Sequence, residues 1–329
     1  MTLPRKQLVS IESTPYYHCV SRCVRRAFLC GKDPVTGKNF NHRRTWLENR
    51  MLSLAKHFCI QVAAYTVMSN HYHIILKVNK ETAIHLNPED VIKRWHGIFK
   101  GNELSRQYIE SPQSLSVPEK TQLFKQVEVW RGRLYDISWF MRCLNEYMAK
   151  RANQKDNCTG RFWEGRFKSQ ALLDNKALIA CMAYVDLNPV RAGISNQPTN
   201  SSFTSIKKRN DLRKKKRQKV EGIKKVLIPF TDDKESHNKD NEPLPFELDE
   251  YKKLLRWTVK NVHKTKPNQK SKTQIGNEQF SKKDLEELTQ HFEKHFKSLV
   301  GSKSSYLKKY HAFKFKHKVG ILNCEKYFS

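Results

Sequence analysis

Two apolar runs, "FCIQVAAYTVM" (58–68) and "HYHIILKV" (71–78), are separated by only Ser69 and Asn70. No other feature limits the possible folds of this chain so strongly. Runs of this length, rich in Val, Ile, Tyr and Thr, read as strands, and a short Ser-Asn turn joins them as a hairpin. The first run lacks polar alternation, so both of its faces are expected inside a core. The second opens on His71 and His73. Residues i and i+2 of a strand project to the same side, about 7 Å apart. Two such imidazoles can share a metal ion, or they can simply reflect a composition that includes 13 histidines.

The hairpin has a readable context. "PYYHCVSRCV" (15–24) is a first strand and "GKDPVTGKNF" (31–40) a loop. "HRRTWLENRMLSLAKH" (42–57) carries Trp46, Met51, Leu54 and Ala55 at helical spacing, and a second helical region is expected around 89–109. "DISWFMRCLNEYMAKRAN" (136–153) is a third helix with Asp136 as its N-cap. "CTGRFWEGRFKSQAL" (158–172) runs from loop into strand. "DNKALIACMAYVDLN" (174–188) is a fourth helix, capped by Asp174 and stopped by Pro189. Strand, helix, strand, strand, helix, strand, helix predicts an α+β fold: a ferredoxin-like antiparallel sheet with helices on one face. That domain spans 1–200. A basic and polar linker is expected over 201–245, and a small, basic helical region over 246–329, with helices at 246–262 and 281–296, the latter capped by Ser281.

Charge narrows the function. The formal charge is +30, and a chain this basic calls for a polyanion, of which nucleic acid is the first choice. Residues 206–225 hold eleven Lys or Arg against two acids, the composition of a nucleic-acid arm. No stretch approaches the roughly 18 apolar residues that a membrane span needs. The start, "MTLPRKQLVSIESTPYYH", lacks the apolar centre of a signal peptide, so a cytoplasmic location is expected. Eight cysteines without a C-x-x-C pair are read as buried free thiols, with a zinc site at Cys19, Cys23 and Cys30 as the alternative. The Gly31 to Lys38 segment has the wrong spacing for a P-loop, with Asn39 in place of Ser or Thr, which excludes nucleotide hydrolysis there.

In the fourth helix Tyr184 and Asn188 lie four apart and share a face. At this point the ordered set of motifs becomes informative. "MSNHYHIIL" resembles the His-hydrophobic-His motif of single-tyrosine HUH transposases, with Tyr72 where an aliphatic residue is usual. "GRFWEGRFKSQAL" and "YVDLNPVRAGI" resemble the downstream motifs of the REP-associated (RayT-like) branch, and "YYHCVSR" its first strand. The resemblance covers about residues 14–196. It implies a DNA transposition enzyme, bacterial, cytoplasmic and nucleoid-associated, that cuts and rejoins single-stranded DNA at hairpin-forming repeats. Such enzymes leave a 5′-phosphotyrosine and a free 3′-OH, and work with a divalent ion, Mg2+ or Mn2+, as monomer or homodimer. Carried onto this chain, it makes Tyr184 the nucleophile and His71, His73 and Asn188 the metal ligands. Tyr147, also on a helix, is the rival tyrosine, and Asn188 could instead cap its helix. His18 could tune the site or merely pack.

Basic and aromatic residues interleave around 162–168, the pattern expected for single strands. Arg166 and Lys168 are assigned to DNA first. Trp163 is either a stacking platform or a core anchor, and Arg22 and Arg191 are further phosphate candidates. Two other readings stand beside the transposase: a non-catalytic nucleic-acid-binding module, and a metal-dependent hydrolytic nuclease in which water attacks.

Overall fold

The computed structural model describes residues 5–24, 29–33, 37–215, 226–233, 242–262, 272–313, 315, 318 and 320–328. A short helix α1 (Arg5–Leu8) leads into β1 (Tyr16–Arg22), α2 (His42–His57), and the hairpin of β2 (Ile60–Val67) and β3 (His71–Val78). Four helices follow: α3 (Lys80–His85), α4 (Pro88–His96), α5 (Glu103–Glu110) and α6 (Val117–Leu134). Then come α7 (Ile137–Lys155), β4 (Lys168–Leu172), α8 (Asn175–Arg191) and α9 (Ser205–Lys215). The remainder adds α10 (Leu248–Val262), β5 (Lys272–Ile275), β6 (Glu278–Ser281), α11 (Lys282–His295), β7 (Leu299–Val300), α12 (Lys303–Lys309) and α13 (Ile321–Phe328).

The main sheet runs β2-β3-β1-β4-β7. Its first four strands are antiparallel, and β7 joins parallel to β4 through Ala171 opposite Leu299. The fold is therefore mixed α/β with a mixed five-stranded sheet. Register sorts the side chains. Val20 lies opposite His73 and Lys168, and His18 opposite Ile75 and Gln170, so these six share one face. Tyr72 lies opposite Ser21 on the other face.

Helices cover both faces, not one as expected. On the Tyr72 face, Asn145 of α7 accepts a hydrogen bond from Tyr72 (2.7 Å) and Glu48 of α2 accepts one from Tyr65 (2.6 Å). On the other face α8 lies against β2 and α11 against α8. The physical reason is already in β2 and β3: with nearly every residue buried, neither face could be left in water without exposing apolar surface.

Local signals formed most of the elements. Asp136 accepts from Ser138 and Trp139 at the start of α7, Asp174 from Ala177 at α8, and Ser281 from Asp284 at α11. The helical region expected around 89–109 is two helices, because Gly97 ends α4 and Gly101, with φ +69°, turns the chain into the Asn102 cap of α5. The helix α6 adds an element absent from the sequence reading, although Leu123, Val127, Trp130 and Leu134 recur at helical spacing. Pro189 does not stop α8. It forfeits one bond to the preceding turn, but Ala192 still donates to Asn188 (3.0 Å) and Ile194 to Pro189 (2.9 Å), and the last turn survives.

The basic block begins as structure, not as a solvated arm. Within α9, Arg209 is buried and donates to the carbonyls of Ile228 (2.7 Å) and Ala63 (2.9 Å), with its guanidinium 4.7 Å from the Phe230 ring centre. Residues 216–225 of that block and 234–241 of the expected linker lie outside the described residues. Leu244 and Phe246 are buried, and one apolar core runs from Tyr17 to Phe328, so the 246–329 region packs on the 1–200 region. It also contributes strands as well as helices. A second, smaller core ties α3 to α6. None of the eight cysteines is in a disulfide, and Cys19, Cys23 and Cys30 are buried. No described helix is long and apolar enough to cross a membrane.

Candidate active site

The face under α8 and α11 gathers two buried imidazoles and a half-buried carboxylate from distant parts of the chain. His73 comes from β3, His18 from β1 and Glu293 from α11; one ligand atom of each lies within 4.8 Å of the others. The contacts form a chain. Asn188 Nδ2 stands 2.9 Å from His73 Nε2, His73 Nδ1 is 3.0 Å from His18 Nε2, and His18 Nδ1 is 2.6 Å from Gln170 Oε1. Gln170 Nε2 in turn donates to the Phe296 carbonyl (2.5 Å). With both rings assigned as Nδ1–H tautomers, every donor in this series meets an acceptor.

One atom is left over. Glu293 Oε1 lies 3.2 Å from His73 Nδ1 and is buried without a hydrogen-bond partner. An orphaned buried carboxylate oxygen is costly. A divalent cation in place of the His73 Nδ1 proton would satisfy it. Neighbouring ligands of a hard octahedral ion with bonds of about 2.1 Å stand roughly 3 Å apart; the two contacts of His73, 3.0 and 3.2 Å, are of that order, and all three ligand atoms lie within 4.8 Å of one another. The donor set, two imidazoles and a carboxylate, suits Mn2+ and tolerates Mg2+ or Zn2+. His18, His73 and Glu293 could thus hold a metal ion. Burial pushes His73 well below the ordinary imidazole range and His18 in the same direction, so both are neutral at pH 7, the state a metal requires.

His71 and His73 do share a face, with ring centres 4.8 Å apart, as the alternation predicts. His71 sits nearer the rim, its Nδ1 2.6 Å from Asn70 Oδ1. Burial, helped by the charges of Arg22 and Arg191, pulls its pKa down to about 4. Asn188 is no helix cap; it lies inside α8 with its side chain on His73. Of the expected set, Asn188 meets the Nε2 edge of His73 and His71 stands edge-on to its ring, whereas His18 and Glu293 meet its Nδ1 edge.

Tyr184 joins the same cluster. Its ring centre is 5.5 Å from that of His73 and 6.2 Å from that of His18. Phe292 stacks on it at 5.6 Å, and the Arg191 guanidinium lies 4.1 Å from the ring centre. The ring is 8 % exposed. Burial and the Glu293 charge push the phenol up to about 12, against the opposing pull of Arg191. The rival Tyr147 lies on α7, across the sheet, where its hydroxyl accepts from Arg151.

The expected DNA contacts separate. Lys168 is exposed on the histidine face, opposite Val20. Arg22 is exposed at the end of β1, opposite His71. Arg166 is exposed on the loop before β4. Arg191 turns inward: it covers Tyr184 and donates to the Gln290 carbonyl (2.6 Å). Trp163 is anchored in the core. It is 9 % exposed, donates to the Asn145 carbonyl (2.9 Å) and packs edge-on to Tyr72 at 5.7 Å, on the far face.

Two members of the site were not assigned as ligands from the sequence. His18 had a signal, since alternation in "YYHCVSR" places it beside Val20 and Arg22. Glu293 had a fainter one. It falls four residues after Thr289 on the buried stripe that includes Phe292 and Phe296, where an acid needs a reason.

No known family profile and no curated protein matches the chain. Among solved structures it is similar to one described as a REP-associated tyrosine transposase bound to a REP hairpin. That likeness has 13 % sequence identity and a TM-score of 0.38, and covers 65 % of this chain and 87 % of that one. A superposition this loose assigns neither activity nor ligand to the present chain.

Proposed function

We propose that the chain is a transposase-type, metal-dependent single-strand DNA endonuclease and strand transferase with Tyr184 as nucleophile. The observation that carries this reading is the convergence of Tyr184 with His73 and His18, from three separate elements, in a protein of charge +30. The ordered motifs around His71, His73 and Tyr184 support it independently.

His18, His73 and Glu293 are the proposed metal ligands, with Asn188 holding the His73 ring from its other edge. A bound divalent ion supplies charge neutralisation at the scissile phosphate. Tyr184 Oη forms the bond to phosphorus, the P–O3′ bond breaks, and the phenolic proton is passed through solvent to the leaving O3′. The products are a 5′-phosphotyrosine and a free 3′-OH, and reversal onto another 3′-OH rejoins strands without ATP. Arg191 favours the phenolate by its charge. Lys168, Arg22 and Arg166 provide phosphate partners at the rim. Because the side chains of Phe292 and Arg191 cover the tyrosine, entry of a strand goes with rotation of those two side chains, while α11 keeps Glu293 in place.

The burial of Tyr184 favours one second reading: a hydrolytic nuclease that uses the same His18, His73 and Glu293 group with water as attacker. End-labelled single-stranded oligonucleotide, incubated with Mn2+ or Mg2+ and run on a denaturing gel, separates the two. A protein-linked band lost in Tyr184→Phe supports the tyrosine enzyme; cleavage that survives the substitution refutes it.

A further inference from the structure

On the opposite side of the sheet, α4, α6 and α7 surround an open cavity of about 500 Å3 with aromatic walls. Trp95 and Trp130 stack with ring centres 5.4 Å apart and planes 9° from parallel, and Trp139 stands 6.0 Å from Trp95. Phe99 lies 4.6 Å from Trp95 and nearly perpendicular to Trp139 at 6.4 Å. The two stacked tryptophans are buried, as the core of the α3–α6 insert requires. Phe99 is different: 39 % of it is exposed, over the hollow. Two guanidiniums meet the same rings, Arg133 at 4.2 Å from the centre of Trp139 and Arg142 at 5.1 Å. The cavity's one acid, Glu146, is already paired with Arg142 at 2.7 Å.

The buried tryptophans are core, whereas Phe99 packs on Trp95 with one side and leaves the other over the hollow, beside two cations. A concave, cationic and aromatic hollow fits a flat ring attached to an anion. An apolar peptide would gain nothing from the arginines, and a cationic ligand would be repelled by them. A nucleobase has a π face for the exposed Phe99 ring, with Trp139 as an edge beside it, and its phosphates have Arg133 and Arg142. The hollow is also continuous with the rest of the basic surface. Arg142 lines a second open cavity of about 720 Å3, together with Arg161 and Arg166 of the loop before β4. That loop is tied to β1, where Glu164 donates to the Arg22 carbonyl (2.9 Å), and Arg22 lies opposite His71.

We propose that this pocket receives an unpaired nucleobase of the strand that is worked on at Tyr184, reached along Arg22, Arg166 and Arg142. The proposal rests on the single-strand DNA reading above and adds a base-binding site to it.

The test uses the full chain and two labelled polymers of equal length, oligothymidylate and an abasic phosphodiester. Phe99→Ala should weaken oligothymidylate binding about tenfold, the order of one lost base stack. It should leave abasic binding and the salt dependence unchanged, and Phe99→Trp should restore the loss. In the wild type, 5-iodouracil oligonucleotides should photocross-link to peptides containing Phe99 or Trp139. Unchanged affinity in Phe99→Ala overturns the pocket, as does equal weakening for both polymers or cross-links confined to other peptides. If Phe99→Ala binds normally and still forms the Tyr184 adduct, only the pocket fails. If the wild type binds no oligonucleotide, the underlying reading fails with it.

Discussion

The two faces of the main sheet are equally dry but chemically unlike. Beneath α2 and α7, polar groups are paired for packing: Tyr72 with Asn145, Asn145 with Ser21, and Tyr65 with Glu48. Beneath α8 and its neighbours lie His18, His73 and Asp186, together with an unpartnered carboxylate oxygen of Glu293. Adjacent residues of one strand part company here. Tyr72 goes to the packing face and His71 and His73 to the other, solely because a strand alternates. The lesson is that burial alone does not mark a site. Titratable side chains brought together from distant elements, as His18, His73 and Glu293 are, do.

The contrast can be broken most severely at the tyrosines. Tyr184→Phe should reduce covalent adduct formation by about a thousandfold or more, since no nucleophile remains, with oligonucleotide affinity within about twofold. Tyr72→Phe, between His71 and His73 but on the packing face, should leave adduct formation intact. A gel-based rate measured on both variants checks the pair, and equal losses would erase the distinction between the faces.

A pH effect should also belong to the α8 side. Asp186 accepts from Ser205 (2.7 Å), Ile206 (3.1 Å) and Tyr251 (2.8 Å), yet burial raises its pKa to about 6. The folded state then holds that proton more tightly than the unfolded chain. Its contribution is fully present below about pH 4 and is lost as pH rises through 6, a change of up to about 3 kcal/mol. Urea unfolding between pH 4 and 7 should show this slope in the wild type relative to Asp186→Asn. Parallel curves would contradict it.

Metal binding should separate the faces next. Mn2+ at a hundred times its Kd should stabilise the wild type by about 2.7 kcal/mol, read as a raised Tm. Glu293→Gln should lose most of that shift, and Tyr72→Phe none. If instead His71→Ala abolishes the shift and Glu293→Gln does not, the ion sits on the Nε2 edge of His73, with Asn188. The smallest effect is expected from Tyr72→Phe on stability, about 1 kcal/mol for one lost hydrogen bond, measured by denaturant midpoint.

Much of this was legible locally. The hairpin, the first strand and the helix over 42–57 follow from runs and spacing, and Asp136, Asp174 and Ser281 each cap the helix they precede. The pairing of His71 with His73 and the shared face of Tyr184 and Asn188 follow from the periods of strand and helix. What escaped depends on docking between distant segments. Glu293 reaches His73 only because β7 joins β4 and thereby sets α11 over α8. Trp163 and Arg166 look alike in sequence, but one bridge, Cys23 to Trp163, turns the tryptophan into the core. Pro189 reads as a stop because proline withdraws a bond, and the surrounding packing overrides that local loss.

The central claim is that Tyr184 works with the buried histidine cluster on a phosphodiester. Mass spectrometry of peptides from protein incubated with single-stranded oligonucleotide and Mn2+ tests it directly. The account predicts a nucleotide adduct on the Tyr184 peptide that disappears with chelator and in His73→Ala. Cleaved oligonucleotide without any adduct, or an adduct on Tyr147, would contradict it.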